Sequence, residues 1–431
     1  MIFFMAVAMS SVTATADSWS LDRCIDYAVE HNITIKLRDI ERVSSQQSIT
    51  DAKSRYLPSV NANAGQSWNI GRGLTAQNTY ADRNTSNFQW GASLNLPVFS
   101  GLATTRQVAL AKANLATVIQ QYEAAKEDVT LNVISAYLQV LYSQELHEVA
   151  LGQVELSRFE LTRRQTLLDA GKIPEIDMLE AKSQLAQDEL NAAQTANDIR
   201  LAIVDLVQLL ELDDIDNFDV EPLKDNDMIL ISPDEAYTAA LQYNHSIRAA
   251  RYNIEASDKN ISLAKTGYIP TLSFNAGIGS SYYKVTGYEN EGFAHQMKNN
   301  YSTYFGFSLN IPVFDAFSTR NSVKRAKVQK INAQLQYDQA EQELYKAIQQ
   351  AYYRADGAAK KLKASLVAEE AAGKAFEAMQ EKYNLGKATP SEYEQAKTKA
   401  LSTTAERIQA QYEKVLRTRI LTFYSLSLIH I

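Results

Sequence analysis

The 431-residue sequence is short of most things that staple or interrupt a chain. It contains one cysteine, Cys24, so neither an internal disulfide framework nor a cysteine-based zinc or iron–sulfur site can be built from it. Sixteen glycines and eight prolines leave few helix breakers. The segments between them are crowded with Ala, Gln, Glu, Lys and Leu, which favours long helices. Positive charge is not in excess: 43 Lys and Arg stand against 50 Asp and Glu, a net of −7. No basic block stands out, which argues against nucleic acid as a partner. Past the extreme N-terminus, no stretch approaches the ~18 consecutive apolar residues of a spanning helix. If such a chain crosses a bilayer, it must do so with strands.

At the N-terminus, Ile2 to Met9 are apolar, and Ala14-Thr15-Ala16 forms an A-x-A site before Asp17. The pattern predicts an export signal over residues 1–16, although no Lys or Arg precedes Arg23.

Four stretches alternate with period two. Val60, Ala62, Ala64, Trp68 and Ile70 alternate with Asn61, Asn63, Gly65, Ser67 and Asn69. Phe88, Trp90, Ala92, Leu94, Leu96 and Val98 oppose Asn87, Gln89, Gly91, Ser93 and Asn95. Leu272, Phe274, Ala276, Ile278 and Tyr282 oppose Ser273, Asn275, Gly277, Gly279 and Ser281. Phe305, Phe307, Leu309 and Ile311 oppose Tyr304, Gly306, Ser308 and Asn310. These are predicted strands over about 59–70, 87–98, 271–282 and 301–312. Their length suits a tilted strand of ~9–11 residues crossing a bilayer. Uncharged Asn, Ser, Gln and Gly on the second face suit a water-filled lumen. An ordinary sandwich sheet is the competing reading, but the rest of the chain reads as helix and supplies no second sheet to cover the apolar face. Four strands cannot close, and an open edge in hydrocarbon costs several kcal/mol per unpaired group. Copies must therefore join. Two would give eight strands and three would give twelve, and small polar lumen residues favour the larger barrel.

The sequence is also duplicated. Ala28, Asn32, Ile35 and Pro58 recur as Ala240, Asn244, Ile247 and Pro270, 212 positions later. From Ser93-Leu94-Asn95 and Pro97-Val98-Phe99 to Ser308-Leu309-Asn310 and Pro312-Val313-Phe314 the offset is 215, as it is from Gly171-Lys172 to Gly386-Lys387 and from Ala181-Lys182 to Ala396-Lys397. The change of offset falls between the strands of the second copy, so the strand pairs turn around at residues 71–86 and 284–300. The organisation expected is signal 1–16, first repeat 17–212, acidic linker 213–231, second repeat 232–424 and an unassigned tail 425–431.

Each repeat reads helix, strand, strand, helix, turn, helix. Val108, Ala111, Leu115, Val118, Tyr122, Ala125 and Val129 step by three and four within a helix expected over about 102–170. At ~1.5 Å per residue such a helix is about 100 Å long. Gly171 supplies its stop and Pro174 the restart. The second long helix is expected over about 316–385. The shorter helices flanking each strand pair together nearly match the long one in length, so each chain offers four helical columns beside four strands. A soluble or peripheral coiled-coil scaffold is the alternative that these seams alone would permit.

The Leu-Asn-(Leu/Ile)-Pro-Val-Phe strand ends at 94–99 and 309–314, the Ala28/Asn32 and Ala240/Asn244 helices and the Gly171 and Gly386 turns resemble those of the TolC family of outer-membrane efflux channels. The likeness runs from about Trp19 to Tyr424. It implies a mainly α fold with β: a homotrimer whose twelve-stranded transmembrane β-barrel continues into a long periplasmic α-helical barrel. It implies location in the outer membrane of a Gram-negative bacterium, surrounded by outer-membrane lipid. The implied role is a passive duct in a tripartite efflux or type I secretion system, coupled through a periplasmic adaptor (membrane fusion) protein to an inner-membrane RND or ABC pump. No catalysis and no cofactor are implied.

By the same resemblance, the helix turns form the periplasmic entrance, ringed by acids six positions after each turn glycine, here Asp177 and Glu392. Repeated around an axis, such carboxylates would attract cations and repel anions. The competing reading is an acid at a helix start, worth ~0.3–1 kcal/mol against the dipole. Tyr383 matches a gate tyrosine, whereas the gate arginine position is Ala388 and a second acid position is Gln395. The turn residues Gly171, Lys172, Ile173, Gly386, Lys387 and Ala388 are the expected adaptor-facing surface. His147-Glu148 begins a zinc-protease motif, but Leu151 stands where the second histidine is needed. Gly277-Ile278-Gly279 lies inside a strand pattern and lacks the third glycine of a dinucleotide loop.

Overall fold

The structure, a computed structural model, describes residues 17–74, 78–213, 215, 218–223 and 231–425. The expected signal at 1–16 and the tail past 425 lie outside the described residues. In chain order the elements are β1 (Asp17–Trp19), α1 (Leu21–His31), α2 (Ile33–Ser54), β2 (Ser59–Asn69), β3 (Arg72–Leu74), β4 (Tyr80–Asp82) and β5 (Thr85–Phe99). They continue with α3 (Ala103–Asp169), α4 (Glu175–Leu210), β6 (Phe218–Val220), α5 (Pro233–Tyr243) and α6 (His245–Ala264), which ends in a 3-10 turn over Lys265–Tyr268. Then come β7 (Thr271–Val285), α7 (Phe293–Asn299), β8 (Ser302–Asn310), α8 (Ser318–Asn384) and α9 (Pro390–Ser425). None of the described helices is long and apolar enough to cross a membrane.

Contacts divide the chain into two compact units, one comprising residues up to 40, 120–248 and from 339 onward, the other residues 41–119 and 249–338. The second unit holds the alternating stretches, which form one antiparallel sheet in the order β2-β5-β7-β8. Space requires glycine at one point of this sheet: a Cβ on Gly279 would lie 2.8 Å from the Trp90 carbonyl oxygen, whereas one on Gly277 would meet only the exposed ring end of Tyr304, which can swing aside. The strand register repeats the sequence duplication: the pair Ser59–Asn95 between β2 and β5, advanced by the two repeat offsets, becomes Thr271–Asn310, a pair observed between β7 and β8.

The first unit is helical around a core that gathers Cys24, Ala28, Val133, Ile134, Tyr137, Leu206 and Leu210. The recurring Ala, Asn and Ile positions have a local cause. Asn32 and Asn244 each donate a backbone N–H to the Ala28 or Ala240 carbonyl, closing a short helix. Their side-chain oxygens then accept from Thr34 N and Ile247 N at 2.9 and 3.1 Å, opening the next. This is capping in which one residue serves both helix ends. Asn32 also donates its amide to the Leu209 carbonyl at 2.9 Å.

Three features depart from the sequence reading. The linker is not merely a connector, because Phe218–Val220 forms β6 and pairs in parallel with β1. Tyr137 donates to both segments' carbonyls, Trp19 at 2.9 Å and Glu221 at 2.7 Å. The strand-pair loops carry structure of their own, a β3–β4 hairpin in the first and α7 in the second.

Candidate functional site

Both helix turns lie in the helical unit and share one construction. Gly171 and Gly386 adopt φ of +66° and +69°, the left-handed conformation that ends a helix most easily at glycine. Gly171 N donates to Leu168 O at 2.8 Å and Lys172 N to Leu167 O at 2.8 Å. In the second turn Gly386 N donates to Tyr383 O at 3.0 Å and Lys387 N to Lys382 O at 2.8 Å. This is the Schellman arrangement, which leaves Gly171, Lys172, Gly386 and Lys387 exposed, with Ile173 and Ala388 half-buried.

The two acids are placed differently. Asp177 sits half-buried in the first turn of α4, after Pro174, which provides no side-chain cap. Its carbonyl accepts from Arg164 Nη1 at 2.9 Å. Glu392 is exposed but engaged: its carboxylate accepts from Thr389 N and from Thr389 Oγ1, both at 2.8 Å, and Glu392 N donates back to Thr389 Oγ1 at 3.3 Å. That reciprocal pair is a capping box, and these bonds hold the Glu392 carboxyl below the usual glutamate range.

Tyr383 is held by groups that sequence reasoning did not single out. Its ring stacks on Tyr393 with centroids 4.7 Å apart, and the Arg163 guanidinium lies 4.9 Å from it. Arg163 also donates to Asn384 Oδ1 at 2.7 Å and pairs with Glu160 at 3.4 Å, tying α3 to α8. Tyr393 is fully buried, and burial, with Glu160 nearby, pushes its phenol well above the usual range.

One helical turn further along α9, Lys397 is 2 % exposed. Its ammonium donates to Ser157 Oγ at 2.8 Å and lies 3.7 Å from Asp188 and 3.5 Å from Glu394. Asp188 additionally accepts from Gln153 and Gln184 at 3.2 and 3.0 Å. Side chains from α3, α4 and α9 thus satisfy one another inside apolar packing, as buried charge requires. The available signal was position: Lys397 follows Tyr393 by four, on the stripe of α9 that recurs at Ile408. His147, from the incomplete zinc motif, bonds Thr195 at 2.9 Å.

The profile of the outer membrane efflux protein family matches residues 24–211 and 236–423, one segment in each repeat. The chain is 22% identical over 373 residues to the outer membrane efflux protein BepC of Brucella suis, covering 86% of this chain and 77% of that protein. It is 22% identical to the outer membrane protein TolC of Vibrio cholerae, covering 75% of this chain and 72% of the other. The CmeC outer membrane channel of Campylobacter jejuni has the same fold, with TM-score 0.78, 16% identity, and coverage of 94% of this chain and 85% of that one. A helical unit with a small membrane sheet, duplicated in sequence and matched over both copies, places this chain in the outer membrane efflux protein family: it is an efflux channel of the Gram-negative outer membrane with a large helical portion in the periplasm.

Proposed function

We propose that three copies assemble into a closed twelve-stranded barrel continued by a helical duct, through which an inner-membrane RND or ABC pump, joined by a periplasmic adaptor, expels its substrate. The observation that carries this reading is the sheet: β2 and β8 are both edges, and Val60, Trp68, Phe305, Phe307 and Leu309 on them are exposed. An apolar face with two open edges is stable in hydrocarbon only when the edges are paired. The duct itself performs no chemistry. Its energy comes from the pump, and the outer-membrane lipid covers the apolar face.

The two turns form the adaptor-facing end in this reading, presenting Gly171, Lys172, Ile173, Gly386, Lys387 and Ala388. Asp177 and Glu392 together form acidic rings at the entrance, and Tyr383, clamped by Arg163 and Tyr393, belongs to the entrance wall. Both carboxylates add to the ring's field, and the bonds from Thr389 hold Glu392 ionised. Purified protein in a planar bilayer tests this: cation preference should fall in Asp177→Ala and in Glu392→Gln. Unchanged selectivity in both would remove the acidic rings, and absence of conductance in the native protein would remove the duct.

A further inference from the structure

We propose that α7 is a lipid-contact element: the loop between β7 and β8 folds outward over the lipid-facing side of the sheet and rests at the headgroup boundary of the outer leaflet, rather than over the mouth of the duct. The inference rests on the membrane sheet of the reading above and adds a second surface that meets lipid.

Side chains alternate across the sheet, so Ile278, Ser280 and Tyr282 of β7 share one face, and Phe88 of β5, opposite Tyr282, lies on it too. That is the apolar face. α7 packs on this side. The Phe293 ring centroid lies 5.1 Å from that of Tyr282 and 5.7 Å from that of Phe88, and Ser280 Oγ donates to the Met297 carbonyl at 2.7 Å. Ser280 is left only 6% exposed. The loop of the first repeat leans the other way. Arg83, next to the β3–β4 hairpin, sets its guanidinium 5.9 Å from the ring of Tyr283, whose parity places it on the polar face. The two loops thus part to opposite sides of one sheet.

The second loop is held in place by an edge that it completes. β7 pairs with β5 as far as Val285 but with β8 only as far as Gly279. Beyond that point, side-chain amides of the loop stand where a strand would. Gln296 accepts from Tyr283 N at 2.9 Å and donates to Tyr283 O at 3.0 Å. Asn290 accepts from Val285 N at 2.8 Å and donates to Val285 O at 2.9 Å, and Asn300 donates to Ser281 O at 2.7 Å. A carboxamide offers both a donor and an acceptor, as a peptide group does. The free end of β7 is therefore satisfied without a further strand, and the same bonds fix α7 against the apolar face.

Height on the barrel wall identifies what α7 meets there. Ser280 and Tyr282 stand nine and eleven residues beyond Thr271 along β7. At ~3.4 Å per residue and a tilt of ~45° this is roughly 22–26 Å, the upper limit of an apolar band ~25 Å tall. Phe293 stays 51% exposed after packing on the sheet, beside exposed Ala294, His295 and Lys298. An apolar ring among polar neighbours suits the headgroup boundary, where each finds its solvent. The surface is continuous with the face that carries Phe305 and Phe307, so outer-leaflet lipid is its occupant.

Bimane on single introduced cysteines tests the placement in the full-length protein, reconstituted in dioleoylphosphatidylcholine vesicles. The native thiol, Cys24, is buried in α1 and does not compete for the label. The sites are Ala294→Cys on α7, Asp82→Cys on the first loop and Phe307→Cys on the sheet. Lipid bearing a nitroxide near the head of its acyl chain should quench the Ala294 label about threefold more than the Asp82 label, and iodide in the water should show the reverse order. Gln296→Glu removes the donor to Tyr283 O and should move the Ala294 label toward the behaviour of the Asp82 label. An unchanged label would overturn the part given to that amide. Lipid quenching at Phe307 with Ala294 reached by iodide alone would overturn the placement of α7 and leave the membrane sheet standing. Absence of lipid quenching at Phe307 as well would overturn both.

Discussion

β5 and β8 come from the same sequence written twice, around Leu94-Asn-Leu-Pro-Val-Phe99 and Leu309-Asn-Ile-Pro-Val-Phe314, yet β5 runs to Phe99 and is flanked on both sides, whereas β8 stops at Asn310 and lies at an edge. Near-identical chemistry therefore reaches different burial through its neighbours alone. What the second copy lacks is a partner, and the first copy displays what that partner looks like. The helical unit gives a complementary lesson: Lys182 and Lys397 occupy the same repeat position, but the first is exposed and the second is buried among Ser157, Asp188 and Glu394. There the same side chain is kept in both copies, and its surroundings alone make it a solvated charge in one and a buried one in the other.

The largest expected effect breaks that second comparison. Lys397→Ala leaves the Asp188 carboxylate buried without its cation and should cost ~3–5 kcal/mol, whereas Lys182→Ala should stay within ~0.5 kcal/mol. Thermal unfolding of the two variants in detergent reads the difference, and equal costs would mean that the buried network carries no stability.

Next, Phe305→Arg and Trp90→Arg place a charge at equivalent points of the apolar face. If lipid covers both strands, each should cost ~2–4 kcal/mol near the bilayer midplane and cut the yield of membrane-inserted protein comparably. A loss at Trp90 alone would mean that β8 stays open to water.

The in-chain junction between the repeats contains a His245–Glu127 pair at 3.6 Å, with His245 Nδ1 and Gln120 Oε1 3.0 Å apart. The repeat counterpart of Glu127 is Gln342, which is exposed. Burial, with Asp128 and Glu123 adding, raises Glu127 from 4.5 to about 7. Between those values the folded chain holds a proton that the unfolded chain releases, so stability falls as pH rises through that window. Burial, then Arg248, lowers His245, whose contribution is present above its ordinary value and lost as pH falls. Glu127→Gln, which makes the first copy resemble the second, should flatten the decline in melting temperature from pH 4.5 to 7. A decline unchanged in the variant would assign it to other groups.

The smallest effect concerns the turns, one of which has a side-chain cap while the other has Pro174 in its place. Thr389→Ala should cost ~0.5–2 kcal/mol through loss of the capping box, measured by urea unfolding in detergent. A cost near zero would leave Glu392 free to serve the entrance alone.

The elements most legible in the sequence are those with a sustained period. The four long strands are written in alternation over ten residues or so, and α3 and α8 in the near-absence of breakers, which is why their ends fall at Gly171 and Gly386. The Thr389-Pro390-Ser391-Glu392 cap is legible as a pattern as well. β1 and β6 are three residues each, too short to show a period, and they find each other across some two hundred positions through Tyr137. α7 is a single loop helix whose place is set by bonds to β7, such as Ser280 Oγ to the Met297 carbonyl at 2.7 Å. Lys397 was hidden for another reason: a charge on an apolar stripe reveals its partners only once α3 and α4 are packed against it.

The claim on which the account turns is that lipid and sister subunits together cover the sheet. The mass of the purified protein in a detergent micelle, measured by light scattering before and after the detergent is withdrawn, tests it most directly. Three chains per particle, precipitating when the amphiphile is removed, are predicted. A single folded chain that remains dispersed in plain buffer would contradict it.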